Sequence, residues 1–263
     1  MPLDNDLAKI KHSLALARQV VSSFTSGRIK AELKAGGDPV TAADVELDKV
    51  LRETLVDADD GWLSEETVDN LSRLKKRRVW IVDPLDGTRE FVEGIDQWCI
   101  SVALAVDGQV TAAGICNPAA DQLFLGSTQT GVTLNDQPVT TSTHAALAGA
   151  RILASRTEVG RGLWERFADS DFTVVPVGSV AYKLALVAAG LADATFTLVP
   201  KNEWDIAAGT FLVTAAGGKV VDTQGRTLTF NRPRTLREGL VAAGPKLFGP
   251  LTEMLGITPH THD

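Results

Sequence analysis

The chain has 263 residues, 44% of them hydrophobic and 22% charged, a globular composition long enough for one large domain or two lobes around a substantial core. A formal net charge of −7 argues against a binder of nucleic-acid polymers, which needs a basic patch, but leaves open a small phosphorylated metabolite held through cations. No run reaches the ~18–20 apolar residues that cross a bilayer, and the N-terminus lacks a signal peptide's apolar core, so no membrane partner and a cytoplasmic location are expected.

Leu7, Ile10, Leu14, Ala17 and Val21 recur at helical spacing and predict an amphipathic helix over about residues 4–24. Gly36-Gly37-Asp38-Pro39 is a break, after which Thr41 opens a second helix with Val45, Leu47, Val50, Leu51 and Leu55 apolar. Trp62-Leu63-Ser64-Glu65-Glu66 reads as a short strand ending in acids. An apolar run from Val79 to Val82 leads into Asp83-Pro84-Leu85-Asp86-Gly87-Thr88. Three β runs follow, Trp98 to Val106, Val110 to Cys116 and Gln122 to Gly126, with Asp107-Gly108 a hairpin signal between the first two. Cys99 and Cys116 lie inside these apolar runs and read as buried, reduced thiols.

The second half alternates. Strands are predicted at Arg151 to Ala154, Thr173 to Val177, Ala194 to Leu198, Lys219 to Val221 and Gly239 to Ala242. Helices are predicted at Gly162 to Ala168, Val180 to Ala189 and Ile206 to Ala216. Hairpins first and β/α alternation later suggest two lobes, 1–145 and 146–263, meeting in the polar stretch around Thr140 to Ala148.

The segment around Asp83 carries the most chemistry. A buried strand that ends in two acids brings charge to the rim of a core, where an unpaired charge is costly. Hard divalent cations take oxygen ligands, often one or two carboxylates plus substrate phosphate, and backbone amides at a glycine turn suit that phosphate. Asp-Pro-x-Asp-Gly is also an ordinary turn, so the other acids matter. Asp44 stands at a helix start, where Thr41-x-x-Asp44 equally fits a capping box. Glu65 and Glu66 follow an apolar run, and Asp205 stands before an Ala/Gly-rich helix that it could simply cap.

Together Ser64-Glu65-Glu66, Asp83-Pro84-Leu85-Asp86-Gly87-Thr88 and Trp204-Asp205-Ile206-Ala207-Ala208 with Gly217-Gly218 resemble the inositol monophosphatase superfamily of Mg²⁺-dependent, lithium-sensitive phosphatases. The resemblance covers about residues 5–245. It implies an α/β (α+β) fold, a layered αβαβα sandwich shared with fructose-1,6-bisphosphatase, and a homodimer. It also implies two or three Mg²⁺ ions held by Glu65, Asp83, the Leu85 carbonyl, Asp86 and Asp205, with Asp83 bridging two of them. Thr88, supported by Asp44, would activate the attacking water with Glu65, and the Gly87 and Thr88 amides beside Asp86 would receive the phosphate. Most metal ligands would belong to the N-terminal lobe and the W-D pair to the C-terminal one.

For the substrate, inositol-specific members carry an acid a few residues before W-D, and the matching position here is Thr197 or Leu198. Thr88-Arg89-Glu90-Phe91 resembles instead the T-K-E-F of 3′(2′),5′-bisphosphate nucleotidases. That implies removal of the 3′-phosphate of adenosine 3′,5′-bisphosphate, with Arg89 and Lys201 as candidates for the second phosphate. An inositol or broad sugar-phosphate phosphatase is the alternative, histidinol-phosphate phosphatase the next. A catalytically weak member that acts by binding, as a metal sensor or in association with RNA machinery, is the reading from a different class.

Overall fold

The computed structural model describes residues 3–33 and 39–260. The break at Gly36-Gly37-Asp38 and the terminal His262 lie outside the described residues. Helix α1 (Leu3–Val21) follows the predicted stripe, burying Ile10, Leu14, Ala17 and Val21. A short antiparallel pair, β1 (Ala31–Leu33) and β2 (Pro39–Thr41), precedes α2 (Ala42–Leu55), which buries Ala43, Leu47, Leu51 and Leu55, one residue every turn.

Seven strands then form a sheet in chain order: β3 (Gly61–Ser64), β4 (Arg78–Asp86), β5 (Cys99–Val106), β6 (Gln109–Asn117), β7 (Gln122–Ser127), β8 (Gly131–Leu134) and β9 (Gln137–Val139). It is antiparallel except where β3 runs parallel to β4, and the short helix α3 (Thr88–Glu93) lies between β4 and β5. The Asp107-Gly108 turn has both residues left-handed, at φ +51° and +78°, matching the twist of the strands it joins. Asn135-Asp136, at φ +48° and +64°, makes the same kind of turn between β8 and β9, a hairpin absent from the predicted elements.

The remaining chain gives β10 (Arg151–Ser155), α4 (Arg156–Gly160), β11 (Thr173–Val177), α5 (Val180–Ala188), β12 (Ala194–Thr197), α6 (Glu203–Ala215), β13 (Lys219–Val221), β14 (Leu240–Ala243) and α7 (Phe248–Met254). These strands pair in the order β11-β10-β12-β14-β13, parallel at β10–β11 and β10–β12 and antiparallel elsewhere. The helix expected over 162–168 is replaced by α4 before it and a single 3₁₀ turn at Glu165–Phe167. Gly162 sits between them at φ +74°, which no helix continues through.

Five layers result. Helices α1 and α2 cover one face of the seven-stranded sheet; α5 and α6 fill the space between the two sheets; α4 and α7 flank the far side. This is the expected αβαβα order. The middle helices come close: a Cβ on Gly209 would lie 2.4 Å from Leu184 Cβ, so α6 presents bare backbone to α5 there. Strand β5 is buried from Cys99 to Ala105 because helices cover both its faces, which is why it reads as a continuous apolar run. Among the described residues no helix is long and apolar enough to cross a membrane.

Candidate active site

Strand register places the first two acids. Because β3 runs parallel to β4 with Ser64 opposite Val82, the residues that leave the sheet next are Glu65 and Asp83, side by side. The Glu65 amide donates to the Val82 carbonyl at 3.4 Å, and Asp48 on α2 steadies the loop by accepting from Ser64 Oγ and, at 2.9 Å, from Thr67 Oγ1. Asp83 is 2% exposed. Its Oδ1 accepts the Leu85 amide at 3.1 Å, so the turn-forming role and the site position belong to one carboxylate. At the end of the turn Gly87 takes φ +98°, with Gln97 and Trp98 backbone 3.1 Å from where a Cβ would stand, so any side chain there is strained and crowded.

Asp44 likewise does two things. Its Oδ2 accepts the Thr41 amide at 2.7 Å and the Thr41 hydroxyl at 2.6 Å, completing the capping box of α2. Its Oδ1 lies 3.1 Å from Thr88 Oγ1, which is also 3.0 Å from the Leu85 carbonyl. Thr88 has one proton, and both neighbours are acceptors for it. Its own lone pairs are thereby left to accept from a third group.

Asp205 arrives from the other end of the sequence. Asn202 is the N-cap of α6, and Asp205 Oδ2 accepts the Asn202 amide at 2.9 Å. One oxygen each from Glu65, Asp83 and Asp205 lies within 4.8 Å of the others. Asp86 lines the same cavity, but its Oδ2 is held by Ser179 Oγ at 2.7 Å and the Ala181 amide at 2.6 Å, at the start of α5. Ser179 adopts φ +52°, an uncommon conformation for a serine, and in it caps α5 through the Tyr182 amide.

Burial, and then repulsion from Glu65, Asp86, Asp205 and Asp44, pushes the Asp83 carboxyl well above the ordinary carboxylate range. Asp205 is raised in the same way, by burial and then by Asp86 and Glu65. Several carboxylates that oppose one another's ionisation across less than 5 Å are a set of hard oxygen donors suited to a divalent cation.

The acids line a cavity of about 430 Å³ as its acidic wall. Arg161, Lys183 and Lys201, its cationic wall, line the same cavity, and so does Arg89, an exposed residue of α3. Lys183 is 3% exposed, and its ammonium donates to the Ser179 and Val177 carbonyls at 2.6 and 3.2 Å. Burial lowers its pKa to about 8 against the opposing pull of Asp86. No role for Lys183, Glu158 or Arg161 follows from the motifs. The signal for Lys183 is a single charge in the otherwise apolar helix VAYKLALVA; Glu158 and Arg161 fall in a stretch with no periodicity.

A buried polar chain joins the two segments that carry Glu65 and Asp205. Arg73, 1% exposed, donates to Asp69 Oδ2, to Asn231 Oδ1 at 2.7 Å and to the Arg232 carbonyl at 2.9 Å. Glu203, wholly buried, accepts the Asn231 and Arg232 amides at 2.7 and 3.1 Å and also pairs with Arg237. The Asn231-Arg232 dipeptide is thus gripped from both sides, by the loop that follows Glu65 and by the first turn of α6.

Fold and site together define a phosphatase architecture with a carboxylate centre. Residues 4–256 match the model of the inositol monophosphatase family. An inositol-1-monophosphatase of Rhizobium meliloti is 34% identical over 206 residues, 75% of this chain and 77% of that protein. The extragenic suppressor protein suhB of Bartonella henselae superposes with a TM-score of 0.78 at 27% identity, covering 94% of this chain and 97% of the other. CysQ of Bacteroides thetaiotaomicron, at 24% identity and a TM-score of 0.75 over 92% and 97% of the two chains, shares the fold. The chain belongs to the inositol monophosphatase family, a family of metal-dependent phosphatases.

Proposed function

We propose that this protein hydrolyses a phosphomonoester bearing a second anionic group, the 3′-phosphate of adenosine 3′,5′-bisphosphate being the preferred substrate. The observation that carries this reading is the cationic lining: Lys183, Lys201 and Arg161 share one cavity with the carboxylates. The phosphate under attack is met where cations bind the acids. A second phosphate needs protein cations of its own, and a buried ammonium or a guanidinium fork suits it.

Glu65, Asp83 and Asp205, with Asp86 and the Leu85 carbonyl, would hold two or three Mg²⁺ ions. When bound, such ions lower the pKa of a coordinated water and offset the repulsion between carboxylates and phosphate. With its hydrogen donated to Asp44 Oδ1 or the Leu85 carbonyl, Thr88 Oγ1 accepts a hydrogen bond from the attacking water and orients it, with Glu65 as the adjacent base. The Gly87 and Thr88 amides meet the phosphate at the turn. Arg89 and Lys201 remain candidates for the second phosphate, and Lys183 joins them. A homodimer and a cytoplasmic setting belong to the same proposal; a particle of 28.0 kDa by light scattering would refute the dimer.

The second reading is an inositol monophosphatase, favoured by the name of the Rhizobium meliloti relative. Phosphate release from adenosine 3′,5′-bisphosphate and from myo-inositol 1-phosphate, at equal subsaturating concentrations with Mg²⁺, separates the two. A kcat/KM ratio of one or below would overturn the nucleotidase reading.

A further inference from the structure

We propose that Glu158 reads a hydroxyl group on the alcohol portion of the substrate, with Lys201 as its cationic partner. The inference rests on the phosphatase reading of this cavity but not on which phosphomonoester fills it.

Glu158 lines the cavity and is 5% exposed. Three contacts fix its place. The Thr197 hydroxyl donates to Oε1 at 2.6 Å, the Trp164 indole to Oε2 at 3.4 Å, and the Glu158 amide is held by Ser155 Oγ at the start of α4. Trp164 is itself immobilised, stacked on Phe196 with ring centroids 4.3 Å apart. The carboxylate is therefore preorganised, and its acceptor capacity is not filled. An ionised carboxylate offers about four lone-pair positions. Thr197 and Trp164 use two of them, and Lys201 Nζ, 3.5 Å from Oε1, gives charge compensation at ion-pair range.

The chemistry of that group narrows what it can meet. A carboxylate has no proton to give, so it repels phosphate and takes O–H or N–H donors. Glu90 also lines the cavity, from α3, with Arg156 at 3.9 Å. Thr197 turns its hydroxyl to Glu158, and Leu198 is 42% exposed with nothing to offer a polar ligand. Glu203, the next acid along, is wholly buried in its own network. Glu158 with Lys201 alongside thus forms an acceptor–cation pair, which suits a hydroxyl on the carbon skeleton that carries the phosphates.

The test is discrimination between substrates that differ by hydroxyl groups alone. Two pairs are compared by kcat/KM with Mg²⁺: adenosine 3′,5′-bisphosphate with its 2′-deoxy analogue, and myo-inositol 1-phosphate with whichever of its monodeoxy analogues loses most. In the pair that the wild type turns over, the hydroxylated member is expected to be favoured by about 10–100-fold, the worth of one hydrogen bond to a charged group. Glu158→Ala should bring that ratio to within about threefold of one while activity on the analogue persists. Glu158→Gln, which keeps the shape and one acceptor, should retain part of the ratio. An undiminished ratio in Glu158→Ala would overturn the proposal, as would equal loss on both members of the pair, the mark of a purely structural role. Turnover confined to the inositol pair would refute the nucleotide substrate while leaving Glu158 to be judged by the ratio in that pair.

Discussion

The two walls of the cavity are built by opposite means. Most of the acidic wall is compact in sequence: Asp83, Leu85, Asp86, Gly87 and Thr88 come from one strand end and its turn, Glu65 is brought alongside by one parallel register, and Asp205 alone of the clustered acids comes from afar, on α6. The cationic wall is gathered from three separate places, Arg161 just after α4, Lys183 inside α5 and Lys201 before α6. The difference follows from what each wall has to do. Carboxylates that share cations must be set within a few ångströms, and rigid strand ends do that reliably. Charges that meet the variable part of a substrate can come from loops and helix faces, which change without disturbing the chemistry. The two walls should therefore fail differently when altered.

The largest effect is expected on the acidic wall. Asp83→Asn should lower kcat by about 10³-fold or more, the scale of losing a central electrostatic group, while KM changes little. Melting in a chelator should be unchanged or higher, since the substitution removes a charge that its neighbours oppose. A kcat within tenfold of wild type would remove Asp83 from the centre of the reaction. Thr88→Ala should cost about 10²-fold in kcat with KM within a few-fold, as expected for a group that orients a proton transfer. A rise in KM at unchanged kcat would make Thr88 a binding group instead.

On the cationic wall the loss should appear in binding. Lys183→Met is expected to raise KM for adenosine 3′,5′-bisphosphate by about 10–100-fold, with much less effect on a monophosphate. The pH dependence has a definite sign. Lys183, with its pKa lowered to about 8, is charged below that pH and neutral above it, so affinity for the second phosphate should fall as pH rises through about 8. A KM for the bisphosphate that stays flat from pH 7 to 9 in wild type would exclude Lys183 from that contact.

The smallest effect separates the walls by stability. Asp83 and Asp205 have folded-state pKa values raised above the unfolded ones. In the metal-free protein the native state therefore binds more protons than the unfolded chain once pH exceeds the ordinary carboxylate value near 3.8. Their contribution favours folding at low pH and is lost as pH rises through the folded values. Melting temperature in a chelator should accordingly fall with rising pH in that window, and the increment produced by Mg²⁺ should grow. An increment independent of pH would mean that these carboxylates are not where the cation binds.

Much of this molecule was legible before any coordinates. The apolar stripes of α1 and α2, the hairpin at Asp107-Gly108 and the strand leading to Asp83 are written in local periodicity and turn chemistry, which act over a few residues. The acids of Glu65, Asp83, Asp86 and Asp205 are visible as residue types in fixed order, and the family pattern lies in those same short runs. Where competing local readings existed, both hold: Asp44 caps α2 through Oδ2 while its Oδ1 meets Thr88, and Asp83 accepts the Leu85 amide within its turn while belonging to the three-carboxylate cluster.

What only the tertiary structure decided is which distant residues meet. Lys183 enters the cavity because α5 lies between the sheets with its start against Asp86. Arg73 and Glu203 close on one dipeptide more than 150 residues from the first of them. Glu158 reaches Thr197 across 39 residues because β10 and β12 are parallel neighbours. None of these has a periodic signal, since a buried charge is tolerated only by partners the fold delivers from elsewhere, and a local stretch of sequence carries no record of them.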